Sequence, residues 1–299
     1  MILVRVSLSG ISFVLGVTEE TVLMWPGRAS EKADEINTAL LTELSVTEVQ
    51  PDEMWSFVKS EISENSEDGT ETPSKSEDGR QWVWISYAPE FRVILAIITG
   101  PRTLETAMML IQMTAGIVLG VPCFFSDGFS CYYSALIECY HRIKVFPRTG
   151  RPGRPRNPIR EPHEDPVYGQ VVKEKERGRV IGVVHRVVCG AERLILLGPG
   201  ISTSLIERLN LTVRQSLAPL VRKTLSFSWE RENLQKQLVF FQAFYNFARP
   251  HMSLREKVSE TGGLSERKWN QVTPGMAAGI TDHVWTFREL LIFKPDRSP

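Results

Sequence analysis

The chain has 299 residues, 42% of them hydrophobic and 23% charged, with 35 Lys and Arg against 35 Asp and Glu. That is the ordinary mix of a soluble globular protein, long enough to bury a sizeable core as one large domain or two modest ones. The zero net charge excludes any argument for a polyanion partner from the total alone. The distribution reopens it: residues 61–80 are strongly acidic, whereas 142–186 and 204–255 are basic.

Cys123, Cys131, Cys139 and Cys189 have no CxxC spacing, which points to free thiols in a reducing cytoplasm and to neither zinc nor a disulfide framework. The apolar start, Met1 to Val17, lacks a small-residue cleavage site. The uncharged stretch Thr106 to Ser126 is broken by Gly116, Gly120 and Pro122, so it reads as a buried helix followed by a buried strand. No membrane partner is expected.

Along the chain, residues 8–25 read as a helix-turn-helix: Ile11, Val14 and Leu15 precede Gly16 at the turn, and Thr18 caps a second helix carrying Val22 and Leu23. A generic helical hairpin is the other reading, since Glu19, Glu20 and Pro26 suit a phosphate-facing helix poorly. Strands follow at Val49 to Val58, Trp82 to Ala88 and Val93 to Thr99, the last two joined at Ala88-Pro89-Glu90. Glu61 to Arg80 has no apolar period and reads as a looped insertion. A helix over Thr103 to Gly116, a short strand over Pro122 to Ser126 and a helix over Tyr132 to His141 complete a ribonuclease-H-like order. Pro147 to Pro162 can be neither helix nor central strand. Val167 to Val172 and Arg179 to Val188 suggest a hairpin turning at Glu176-Arg177-Gly178. Helices are expected from Ser202 to Val213 and Leu234 to Phe247, the second ending before Arg249-Pro250.

Three carboxylates stand out. Asp52 falls on a strand among apolar neighbours, Asp127 ends another, and Glu207 lies on the helix that starts near Ser202. Ligands gather beyond strand ends in such sheets, and a divalent cation removes the repulsion between carboxylates held close. Each residue also has a plain structural reading: Asp52 in a buried ion pair, Asp127 as the turn residue of Ser-Asp-Gly, Glu207 as an exposed helical charge. Side-chain alternation places Glu53 on the opposite strand face from Asp52.

Three blocks carry a resemblance. Asp52-Glu53-Met54-Trp55-Ser56-Phe57-Val58, then Phe125-Ser126-Asp127-Gly128 with Tyr133, then the long run Ile206 to Gln215 continuing from Arg222 to Ser228, resemble the three catalytic blocks of insertion sequence 1 family DDE transposases. Phe244-Tyr245-Asn246-Phe247-Ala248-Arg249-Pro250-His251 is similar to the closing segment of many such enzymes, and the likeness covers about residues 8–293. The resemblance implies an α/β fold: a ribonuclease-H-like mixed sheet flanked by helices, with a small N-terminal helix-turn-helix and an inserted basic β-hairpin. The corresponding division is a truncated helix-turn-helix-like segment over 1–45, the first part of the core over 46–145 with the acidic insertion 61–80, a basic linker and hairpin insertion over 146–200, the glutamate helix and closing helix over 201–255, and a C-terminal tail over 256–299.

The resemblance further implies Asp52, Asp127 and Glu207 as catalytic and metal-binding residues, two Mg²⁺ ions with Mn²⁺ as a substitute, and DNA (element ends and target) as substrate. It implies a homo-oligomer assembled on DNA and a cytoplasmic, nucleoid-associated location. Asn210 and Arg214, on the Glu207 face of the helix, would touch phosphates, with Arg222 and Lys223 as further DNA contacts; a plain surface role is the alternative for Asn210 and Arg214. Arg151, Arg154 and Arg156 lie in a Gly/Pro-spaced segment suited to a narrow minor groove, or to a solvated linker. His251 is either a structural histidine or a group near a phosphate. The sequence departs from the family at its start, where no cysteines precede the hairpin, at Pro26, which interrupts the expected recognition helix, and at Pro51 beside Asp52. Two other functions therefore stand beside cleavage and strand transfer of insertion-sequence ends: an inactive relic that only binds DNA, and a hydrolytic nuclease on the same core.

Overall fold

Two helices come before the sheet. In α1 (Leu8–Leu15) and α2 (Glu19–Leu40) the hydroxyls of Ser7 and Thr18 accept the first-turn N–H of Gly10 and Thr21, and Gly16 makes the turn at φ 65°. The computed structural model describes Leu3 and residues 6–58, 80–146, 156–162, 166–198, 200–224, 226–228, 230–257 and 269–295. The helical hairpin expected at residues 8–25 is present, but α2 does not stop at Pro26; it runs on for 22 residues in all. A proline there removes one intrahelical bond. The loss is offset because Ala33, Ile36 and Asn37 are buried; Asn37 reaches Gln242 across to the helix α7 described below.

β1 (Glu48–Phe57), β2 (Arg80–Ala88) and β3 (Val93–Gly100) form an antiparallel meander close to the expected boundaries. α3 (Leu104–Ile117) then crosses over to β4 (Cys123–Asp127), which lies parallel to β1. After α4 (Cys131–Cys139) comes a two-stranded ribbon, β5 (His141–Lys144) with β6 (Ile159–Pro162). The acidic residues 61–79 and the segment 147–155 fall outside the described residues.

The hairpin expected as an insertion belongs to the sheet. β7 (Val167–Glu176) pairs in parallel with β4, and β8 (Arg179–Cys189) returns along it, so the order is β3-β2-β1-β4-β7-β8. Five of these strands reproduce the ribonuclease-H-like arrangement. β4 is only five residues long and wholly buried but for its last residue, so it needs a strand on both sides; the apolar start of β7, with Val167, Tyr168 and Val171 buried, provides the second.

After the short α5 (Ala191–Leu197), α6 (Ser204–Ser216) and α7 (Arg231–Ala243) cover one face of the sheet. Ile206, Leu209 and Val213 of α6 and Leu234, Leu238 and Phe241 of α7 pack on Val83, Ile85, Ile94 and Ile97. α3 and α4 cover the other face, with Leu110, Ile111, Tyr132 and Leu136 against Trp84, Ala96 and Phe124. The two faces alternate along β2 as the pleat requires.

α7 also closes the β3 edge. Gln235 accepts from Thr99 N and donates to Ile97 O, and Gln242 donates to Ile94 O and Leu95 O. Asn246, in the π turn Phe244–Ala248 that extends α7, bonds both N and O of Ile94 at 2.9 Å. A stripe of amides thus occupies the groups that an open edge would offer to another strand.

The segment expected as a tail is docked. β9 (Glu256–Lys257) and β10 (Trp269–Asn270) form a small ribbon. α8 (Pro274–Ala277) and α9 (Phe287–Ile292) follow, with Leu290 in the core and Trp285 N donating to Phe247 O. All four cysteines are free, and among the described residues no helix is long and apolar enough to cross a membrane.

Candidate active site

The parallel ladder of β1 to β4 pairs Glu48 with Cys123 and Val49 with Phe124, and then ends. Carried forward three residues, the same offset sets Asp52 level with Asp127. Pro51, which has no N–H, falls where this ladder has already stopped, while its pairing with Ser86 on β2 continues. An inner-strand proline is tolerated because the two strands part there, and the parting opens the cleft between the two aspartates.

One carboxylate oxygen each from Asp52, Glu53 and Asp127 lies within 4.8 Å of the others. Asp127 serves its turn as well, its Oδ1 accepting Phe129 N at 3.0 Å. Glu53 does project to the opposite face of β1, toward α3 and α4, yet its carboxylate still joins the group. It is the site member that sequence reasoning set aside. The available signal was the Asp-Glu doublet itself, two consecutive acids beside Pro51 on one strand.

The two neighbours on β1 are held very differently. Glu53 is buried, with Oε1 taking Arg102 Nε at 2.8 Å and Nη2 at 2.6 Å, and Oε2 taking the Tyr132 hydroxyl at 2.7 Å. Arg102 is itself clasped by rings, 5.0 Å from Trp82 and 4.1 Å from Phe129. Burial and the adjacent Glu53 hold the Tyr132 phenol well above its usual range, so it remains a donor. Among the described residues Asp52 has a single side-chain hydrogen-bond partner, Asn210 Nδ2 at 2.6 Å. Burial, then Glu53, Asp127 and Glu207, push its carboxyl up to about 8. Burial first and Asp127 second also raise Glu53, against the pull of Tyr132 and Arg102.

α6 is fastened along β1 at intervals of four residues. Ile206 N donates to Gln50 Oε1 at 2.9 Å, Asn210 to Asp52, and Arg214 Nη2 to Trp55 O at 3.0 Å. Glu207, Asn210 and Arg214 consequently line a groove of about 640 Å³ together with Glu53, Trp55 and Arg222. Glu207 lies outside the three-carboxylate group. It is exposed, accepts Lys173 Nζ at 2.6 Å and the Thr203 hydroxyl at 3.1 Å, and reaches Asp52 only through its charge.

The other basic residues spread outward. Arg222 and Lys223 are exposed beyond α6, Lys223 with φ 58°, and Arg156 is exposed with its guanidinium 4.3 Å from the Phe146 ring. Arg151 and Arg154 lie outside the described residues.

An all-oxygen donor set compressed against its own charge suits a hard divalent cation. Asn210 Oδ1 adds a buried acceptor beside Asp52 that has no partner among the described residues. The acidic group is therefore chemically fitted to hold such an ion.

No protein-family model matches the sequence, and no curated protein matches it. Among solved structures the chain is similar to a Mos1 transposase paired-end complex with the left transposon end, at 11% identity and a TM-score of 0.19, over 45% of this chain and 52% of that one. It is also similar to the Mos1 strand transfer complex, at 11% identity and 0.20, over 45% and 50%. The chain thus spans about half the length of those structures. The fold assignment rests on the strand order described above.

Proposed function

We propose that this protein is a DNA transposase that cleaves insertion-sequence ends and joins them to target DNA by metal-dependent phosphoryl transfer. The observation carrying the reading is the meeting of Asp52 and Asp127 across the β1–β4 cleft, with the Glu207 helix laid along its side. The three sequence blocks supply the substrate class.

Asp52 and Asp127 would hold Mg²⁺, or Mn²⁺ in its place, with Glu207 closing the set; two ions together would activate the attacking hydroxyl and neutralise the leaving oxygen. The chain's own part is positional. Asn210 fixes one oxygen of Asp52, and the Gln50 and Arg214 ties hold α6 at a set distance from β1. The Lys173–Glu207 pair is exposed on both sides, so it costs little to open, and Glu207 is free to turn toward the aspartates. Arg214 and Arg222 give the groove positive charge where a phosphodiester would lie. In this reading the protein works as a homo-oligomer on paired ends, in the cytoplasm with the nucleoid.

A strand-transfer assay on cognate ends in Mg²⁺ or Mn²⁺ tests the proposal. The wild-type chain is expected to yield joined product, and Asp52→Asn, Asp127→Asn and Glu207→Gln each to lose it while still retaining DNA. Nicked but unjoined DNA would identify a hydrolytic nuclease. Salt-dependent retention without any cleavage would identify a DNA-binding relic.

A further inference from the structure

A second cavity, of about 390 Å³, opens on another face of α6 and collects cations with no acid among its lining residues. Arg208 enters it from α6, Arg92 from the β2–β3 turn, and Arg249 and His251 from the segment after the π turn; Tyr87 and Tyr245 form its wall. Arg208 and Thr212 are one helical turn apart, whereas Glu207, Asn210 and Arg214 follow the face toward β1, so one helix serves both places.

The cations are short of partners. Arg92 bonds the Tyr87 hydroxyl, but its Nε and Nη1 are buried with no hydrogen-bond partner among the described residues, and Arg92 has φ 61°, a conformation that favours glycine or asparagine. Among the described residues the Arg249 guanidinium has a single long hydrogen bond, Nη1 to Ser216 Oγ at 3.4 Å. His251 Nδ1 receives Ser253 N at 3.3 Å and lies 2.9 Å from Ser253 Oγ; an Nδ1 that accepts a backbone N–H leaves the ring proton on Nε2. Burial first, then the charges of Arg92, Arg249 and Arg208, depress the basicity of this imidazole. Like charges gathered around unbonded buried donors call for an anion with several acceptor oxygens.

We propose that this cavity binds a phosphate group of a DNA strand, as a second contact separate from the acidic cleft; the identity of the strand as DNA rests on the function proposed above. Geometry supports a nucleotide unit over a bare ion, because the cavity has room for more than one phosphate and offers the Tyr245 and His251 rings, 6.3 Å apart, as apolar wall.

The test measures DNA binding by the full chain in EDTA, by fluorescence anisotropy at several salt concentrations, with duplex and single-stranded probes. Arg208→Gln and Arg249→Gln are each expected to weaken binding about tenfold and to take about one unit from the slope of log affinity against log salt. Arg208 is exposed, so its variant keeps the test valid should Arg249→Gln, at a half-buried position, fail to fold; melting curves check each protein. Inorganic phosphate and a mononucleotide form the second arm, titrated by calorimetry. Arginine-dependent uptake of either one with unchanged DNA affinity would overturn the DNA contact in favour of a small-anion site, and no effect in either arm would overturn the proposal altogether. A chain that never joins or cuts DNA, yet loses DNA affinity with these arginines, would sink the transposase reading and leave this one standing.

Discussion

Asp52 and Glu53 are consecutive on one strand and carry the same chemical group, yet they have opposite surroundings. Glu53 is saturated by a bidentate guanidinium and a phenol, and the guanidinium is sandwiched between aromatic rings. Asp52 has only the Asn210 amide and the Glu53 backbone N–H, among the described residues, against the charges of three other carboxylates. A buried carboxylate with all its partners inside the protein is a brace; one short of partners is a ligand awaiting a cation. The difference separates structural from chemical acids more sharply than their distances do, since all three group members lie within 4.8 Å.

The largest expected effect breaks that comparison directly. Asp52→Asn should lower strand transfer by about a thousandfold or more, whereas Glu53→Gln, which keeps the shape and one acceptor, should lower it by no more than about tenfold. Equal losses in a single-turnover assay would make Glu53 a third ligand and end its role as a brace.

Next in size is Arg102→Ala, which leaves Glu53 buried without its countercharge. About 2–4 kcal/mol of folding stability should disappear in a denaturant titration, discounted because Arg102 is 39% exposed. Adding Glu53→Gln to that variant should return part of the loss; strict additivity of the two changes would show that the pair is not coupled.

A pH series sharpens the other half. Asp52 is raised from 3.8 to about 8, so the metal-free folded state holds a proton that the unfolded chain releases between those values. The stabilisation is complete below about pH 4 and is lost as pH rises toward 8; metal-free stability should therefore fall over that range. Asp52→Asn should flatten the slope and raise stability at pH 8 by about 1–3 kcal/mol. Thermal melts in EDTA and in Mg²⁺ check this, since a bound cation should also remove the slope.

The smallest effect concerns Glu207. Lys173→Ala breaks an exposed pair and should change stability by less than about 1 kcal/mol, while tightening Mn²⁺ binding a few-fold by freeing the glutamate. Weaker Mn²⁺ binding would mean that Lys173 positions Glu207 for its task.

Local patterns made much of this legible. The alternating and apolar runs of β1 to β4, the Thr18 cap, the Gly16 turn and the apolar stripe of α6 follow from side-chain periodicity and short-range hydrogen bonding, and Asp52 and Asp127 could be chosen because one is an acid among apolar strand residues and the other closes an apolar strand. Residues that act across long separations were not legible. The union of β7 with β4, the passage of α2 through Pro26 and the docking of α9 are decided by which apolar faces find one another, and a one-dimensional pattern is silent on that. Arg102 meets Glu53 from 49 residues away, and Asn210 meets Asp52 from 158. Sequence by itself determined that Asp52 would lie on one strand and Asp127 at the end of another; only tertiary packing decided which acid received a countercharge and which was left short of one, because electrostatic environment depends on neighbours in space.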